Sequence, residues 1–138
     1  MTAKRIVSIL ICALVAGSSV RNGVGLAQTQ SQMTTDADRV LRAAEAEMAT
    51  VLQNLAKKAN GQPDALAKLN RAQAAWVAYR NAHIEALWPS KTPLESYGSV
   101  HPMCVLMERT NLTKERIREL RLMLAARDGE ACIGAWPE

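Results

Sequence analysis

Phenylalanine is missing from this chain, and three tryptophans and two tyrosines are its whole aromatic content. Any core must therefore be assembled from Leu, Val, Ile, Met and Ala, the vocabulary of helix bundles. Histidine occurs twice and cysteine three times, which leaves little material for acid–base or metal chemistry. No H-E-x-x-H pair, nucleophile elbow or glycine-rich phosphate loop occurs along the 138 residues, and a small helical domain seldom encloses an enzyme's pocket. Catalysis is not expected, and no cofactor is implied. No segment alternates β-branched residues, so nothing competes for a sheet.

Long apolar runs are also scarce. The one run, Ile6 to Gly17, has 12 residues, too few to span a bilayer. It follows Lys4 and Arg5 and precedes Gly25 and Ala27, small residues at the spacing a signal peptidase accepts. Residues 1–27 are expected to be a cleaved export signal, which places the mature protein in the periplasm or outside the cell. Cys12 follows Ile11 where lipoprotein processing requires a small residue, so a lipid anchor is not expected. Loss of Lys4, Arg5 and Arg21 leaves 14 basic against 13 acidic side chains, a formal charge of +1 in place of +4. The basic balance thus resides in the leader, and neither nucleic acid nor stable membrane insertion is an expected partner.

The remaining 111 residues suit one domain. Residues 28–34 are polar and aperiodic and read as a disordered lead-in. A weak capping box, Thr35 with Asp38, predicts the start of a first helix whose stripe is Val40, Leu41, Ala44, Met48, Val51, Leu52 and Leu55. Asn60-Gly61 ends it. Pro63 opens a second helix with Leu66, Leu69, Ala72, Trp76, Tyr79, His83 and Leu87 facing inward, and Pro89 stops it. The next stretch, Trp88 to His101, has no helical period and reads as a long loop, a length that in compact domains goes with function or mobility. Pro102 opens a third helix with Leu106, Thr110, Thr113, Ile117, Leu120 and Leu124 on its stripe. The expected fold is all-α, a small antiparallel three-helix bundle over residues 35–126, followed by a tail, 127–138.

The series Ala72-Gln73-x-x-Trp76-x-x-Tyr79-Arg80, then Gly98-Ser99-x-x-Pro102, then Leu112-Thr113-x-x-Arg116-x-x-Glu119-Leu120 resembles the amino-terminal domain of the LprI-type lysozyme inhibitors. The resemblance covers residues 35–124 and implies a helical fold, an envelope location and a lysozyme as protein partner. The family's pattern places cysteines where this chain has Ile84 and Glu108. Both are lost together, as for a missing disulfide between the second and third helices whose work falls to packing.

Cys104 and Cys132 offer a substitute only with difficulty. A helix unbroken from 104 to 126 rises about 33 Å, and six extended residues span about 20 Å. A bond within one chain needs the last helical turn to unwind. That pairing and a link between two copies both stay open.

Trp76, Tyr79 and Arg80 share adjacent turns, as do Thr113 and Arg116. They can form a recognition face; the preferred reading is structural, with aromatics in the core and each Arg held by a carboxylate or by carbonyls, alongside the motif residues Gly98, Pro102 and Leu120. For a partner, the loop offers Ser90, Lys91, Tyr97, Ser99 and His101, donors and a cation suited to a cleft lined by two carboxylates; against this stands an ordinary solvated connection. A rival function is an envelope protein with a structural or copper-handling role, His101, Cys104 and Met107 being the candidate ligands. The favoured reading is an exported binding protein that occludes a lysozyme stoichiometrically.

Overall fold

The computed structural model describes residues 29–125 together with 132, 136 and 137. The expected leader, residues 1–27, lies outside the described residues. Those that are described form helices and contain no strand: α1 (Gln30–Lys58), α2 (Pro63–Leu87), α3 (Pro93–Tyr97) and α4 (His101–Ala125).

α1 begins five residues before the expected start at Thr35, because the stronger capping box lies upstream. The Thr29 hydroxyl accepts from the Gln32 amide at 3.2 Å, and Gln32 Oε1 accepts from the Thr29 amide at 2.8 Å. Two orphan donors are satisfied at once. Thr35 instead donates its hydroxyl to the Ser31 carbonyl inside the helix, so residues 30–34 of the expected lead-in are helical. Lys57 and Lys58 occupy the last turn, and Gly61 reverses the chain with φ 85°, a conformation glycine adopts without steric cost.

Two contacts orient α1 against α4. Gln30 Nε2 lies 3.9 Å from Met103 Sδ where both helices begin, and Lys58 Nζ donates to the Leu124 carbonyl at 3.4 Å where both end. These two helices run parallel, side by side. α2 runs antiparallel to both: Arg80 reaches Glu45 and Thr113, while Gln73 reaches Met48 and Arg116. The all-α expectation is met, while the expected three-helix bundle is met only in part, since a fourth helix, α3, is present among the described residues.

The apolar core gathers toward the carboxyl ends of α1 and α4. Ala44, Met48, Val51, Leu55, Leu69, Ile117 and Leu120 form it, with Trp76 and Trp136 packed at its edge. Leu55 and Leu120 are fully buried, a burial that stabilises by about 1.5–3 kcal/mol each. The Trp136 indole donates to the Leu55 carbonyl at 3.0 Å, which fastens that side chain to this end.

The α1 and α4 stripes agree with the sequence pattern, apart from exposed Val40. α2 does not. Its inward positions are Leu69, Gln73, Trp76, Arg80 and Ile84, whereas Ala72, Tyr79 and Leu87, all expected inside, are exposed. Arg80 accounts for the rotation, because its partners on α1 and α4 pull position 80 into the interior and carry position 79 outward.

His83 Nε2 lies 3.5 Å from Glu108 Oε1, so α2 and α4 are neighbours at the level where the resemblance puts the lost disulfide. Buried Ile84 fills that level. With cysteine at both 84 and 108, we expect an oxidised cross-link that raises the unfolding free energy by about 2–4 kcal/mol. The urea midpoints of oxidised and reduced forms measure it; exclusive cross-linking between chains would show that the two positions do not face each other.

Candidate functional site

Two sets of polar side chains stand out, one inside the helices and one on the α2–α4 connection. The inner set centres on Arg80, 9% exposed. Its Nη1 donates to Glu45 Oε1 at 3.0 Å and to Thr113 Oγ1 at 3.2 Å, and its guanidinium carbon lies 5.1 Å from the centre of the Trp76 ring. Thr113, fully buried, donates in turn to the Arg109 carbonyl at 2.8 Å. One cation thus joins α1, α2 and α4. A planar fork that stacks on an indole while donating sideways is a task for Arg and not for Lys.

A second arginine repeats the theme nearby. Arg116 Nε donates to Gln73 Oε1 at 3.2 Å and Nη1 to Glu119 Oε2 at 2.8 Å. Leu120 lies one turn on, fully buried. Trp76, Arg80, Thr113, Arg116 and Leu120 thus all make their contacts at the packed faces of the helices. Tyr79 is the exception among the motif residues: it is 54% exposed and packs on His83 with ring centres 5.7 Å apart.

The connection is not the aperiodic loop that the sequence suggests. Pro93 opens the one-turn helix α3, and Gly98, at φ 72°, closes it. No atom lies within 4 Å of where a Gly98 Cβ would stand, so conformation alone makes glycine fitting there. The His101 ring is held between Tyr97, stacked at 5.3 Å, and Trp88, edge-on at 5.5 Å. Tyr97 Oη also accepts from the Ser90 amide at 3.2 Å, and the Ser90 and Ser96 hydroxyls are bonded at 2.6 Å. Three of the five expected partner-binding residues, Ser90, Tyr97 and His101, are thus spent on bracing the connection. Lys91 and Ser99 are exposed, as are Leu94 and Val100, at 65% and 41%. α4 starts at His101, one residue earlier than the expected Pro102, and the His101 amide donates to the Gly98 carbonyl at 3.2 Å.

Among the described residues, no group of three or more His, Cys, Asp or Glu side chains is placed to hold a metal. The ligand set His101, Cys104 and Met107 is divided by the helix. His101 lines a hollow with Val105 and Arg109, whereas Met107 lines another against α1. Cys104 and Cys132 are both free thiols. Cys104 lies in the first turn of α4, while Trp136 contacts Leu55 near the far end of that helix, which rises about 30 Å.

Glu45, Trp88 and Ser96 were not anticipated from the sequence, and Gln73 entered there only as a motif residue. Glu45 was findable in part, since it adjoins Ala44 and lies a turn from Leu41 and Met48, at the border of the α1 stripe where a carboxylate serves an inward-facing cation. Trp88 gave no signal beyond its place at the start of the expected loop.

The family described as lysozyme inhibitor LprI matches residues 24–120, spanning α1 to α3 and most of α4. Among curated proteins and among solved structures, none matches the chain.

If Arg80 ties the helices together, removing its carboxylate leaves a cation with one neutral acceptor. Glu45→Ala is expected to cost about 2 kcal/mol, less than for a sealed pair because the Glu45 side chain is 42% exposed. Thr113→Val should cost about 1 kcal/mol. Urea unfolding measures both, and a Glu45→Ala loss within about 0.5 kcal/mol of zero, the range of a bland surface change, would remove the contact from this role.

Proposed function

The chain belongs to the LprI lysozyme-inhibitor family, and from that membership we propose that it is a helical binding protein which inhibits a lysozyme by occupying its cleft one to one. The family match over residues 24–120 is the observation that carries this reading. Occlusion, not turnover, is the proposed mode of action. The export leader read in residues 1–27 would place it in the periplasm or outside the cell, where lysozymes attack. No helix among the described residues is long and apolar enough to cross a membrane.

The braced α2–α4 connection is the proposed contact surface. A lysozyme cleft presents two carboxylates, one of them a general acid. Lys91 brings an ammonium to the exposed side of the connection, and Ser99 a hydroxyl. Leu94, more than half exposed, adds apolar area of the kind that gains by burial at an interface. The ring contacts of His101 with Tyr97 and Trp88 support the reading in another way, since a loop ordered before contact loses less entropy on binding.

Titrated into a cell-wall lysis reaction, the purified protein should suppress lysozyme near a one-to-one ratio. Lys91→Ala should weaken inhibition by about tenfold, the size of one charge-assisted contact, with helical circular dichroism unchanged. Tyr97→Phe keeps the stack but loses the acceptor for the Ser90 amide, so it should weaken inhibition less than Tyr97→Ala. Lysis that persists at large excess of the protein ends the proposal for that lysozyme; equal inhibition by wild type and Lys91→Ala moves the contact surface elsewhere.

A further inference from the structure

A groove of about 350 Å³ runs along the seam between the first turns of α1 and α4. The chain has six methionines, and three of them, Met33 from α1 with Met103 and Met107 from α4, line this one hollow. Met48, by contrast, belongs to the buried core and Met123 packs against it. Met107 is 53% exposed, a position where a thioether gains nothing from core packing. Met103 already receives a side-chain amide from Gln30 at 3.9 Å, so its sulfur faces α1.

From this placement we propose that Met33, Met103 and Met107 form a binding site for a soft monovalent cation, Cu(I) or its analogue Ag(I), held by three thioether sulfurs. Met103 and Met107 are one turn apart on the same face, with about 5–6 Å between their Cβ atoms, and Met33 projects from the facing helix. Unbranched side chains with three rotatable bonds bring their sulfurs together without moving the backbone. Soft sulfur selects Cu(I) over hard cations, which prefer oxygen. Asp36, paired with Arg39 at 2.6 Å, adds a carboxylate at the groove wall, and Lys114 bounds it two turns beyond Met107. The ligands are neutral thioethers, so binding releases no proton and needs no redox step. This site is separate from the α2–α4 connection and stands whether or not a lysozyme is inhibited.

Competition against a Cu(I)-chelating dye, under anaerobic reducing conditions, tests it on the purified protein. One equivalent is expected to bind, with an affinity unchanged between about pH 5 and 8, the range over which an imidazole ligand would lose metal to protons. The methyl resonances of Met33, Met103 and Met107 should shift on adding Ag(I) while that of Met48 stays in place. Exchanging all three for leucine keeps the apolar volume and should weaken binding by about tenfold or more; Cys104→Ser should leave it intact. Equal affinity in the triple leucine variant, loss of binding in Cys104→Ser, or a steep fall toward acid pH would each overturn the assignment. The methyl shifts decide the matter on the wild type if the triple variant fails to fold.

Discussion

The arrangement of the three long helices depends on one buried guanidinium. α2 contributes only Leu69 and Ile84 as buried apolar side chains, far less than α1, which buries five along its length. Apolar burial by itself holds such a helix weakly. Arg80 makes up the difference by dividing a single Nη1 between a carboxylate on α1 and a hydroxyl on α4 while its guanidinium carbon lies over the Trp76 ring. Because Glu45 keeps part of its hydration, the pair avoids the full desolvation that makes sealed ion pairs costly. The same contact sets the rotation of α2, and so decides that Tyr79 meets solvent.

The connection between α2 and α4 follows another rule. Its order comes from rings and hydroxyls turned toward one another, with His101 between Trp88 and Tyr97 and with Ser90 joined to both Tyr97 and Ser96. The outward groups are left over once that network has formed. A segment with its own internal bonds presents those groups at fixed spacing.

What could be read in advance followed from how far each signal acts along the chain. The stripes of α1 and α4 were legible because both helices bury one face on the other, and periodicity reports such a face directly. α2 was misread for a physical reason: its inward face includes Gln73 and Arg80, and a pattern search assigns polar residues to the outside. α3 escaped notice because one helical turn is shorter than any period. At the candidate site Ser90, Tyr97 and His101 make contacts within the connection itself, and no local pattern separates a side chain that braces a loop from one that reaches out of it. The early start of α1 belongs to the opposite case, since Thr29 and Gln32 carry a full capping signal in a segment whose polarity concealed it.

The parallel pairing of α1 with α4 bears on how the molecule is made. The contacts that align these helices join residues 73 and 66 positions apart, so the closest partners in the finished protein lie near opposite ends of the polypeptide. Closing a loop of that size takes entropy that neighbouring hairpins avoid, and folding slows as paired segments grow more distant. The pairing of α1 with α4 therefore cannot be completed until both helices, and the α2 hairpin partner between them, are present on one chain.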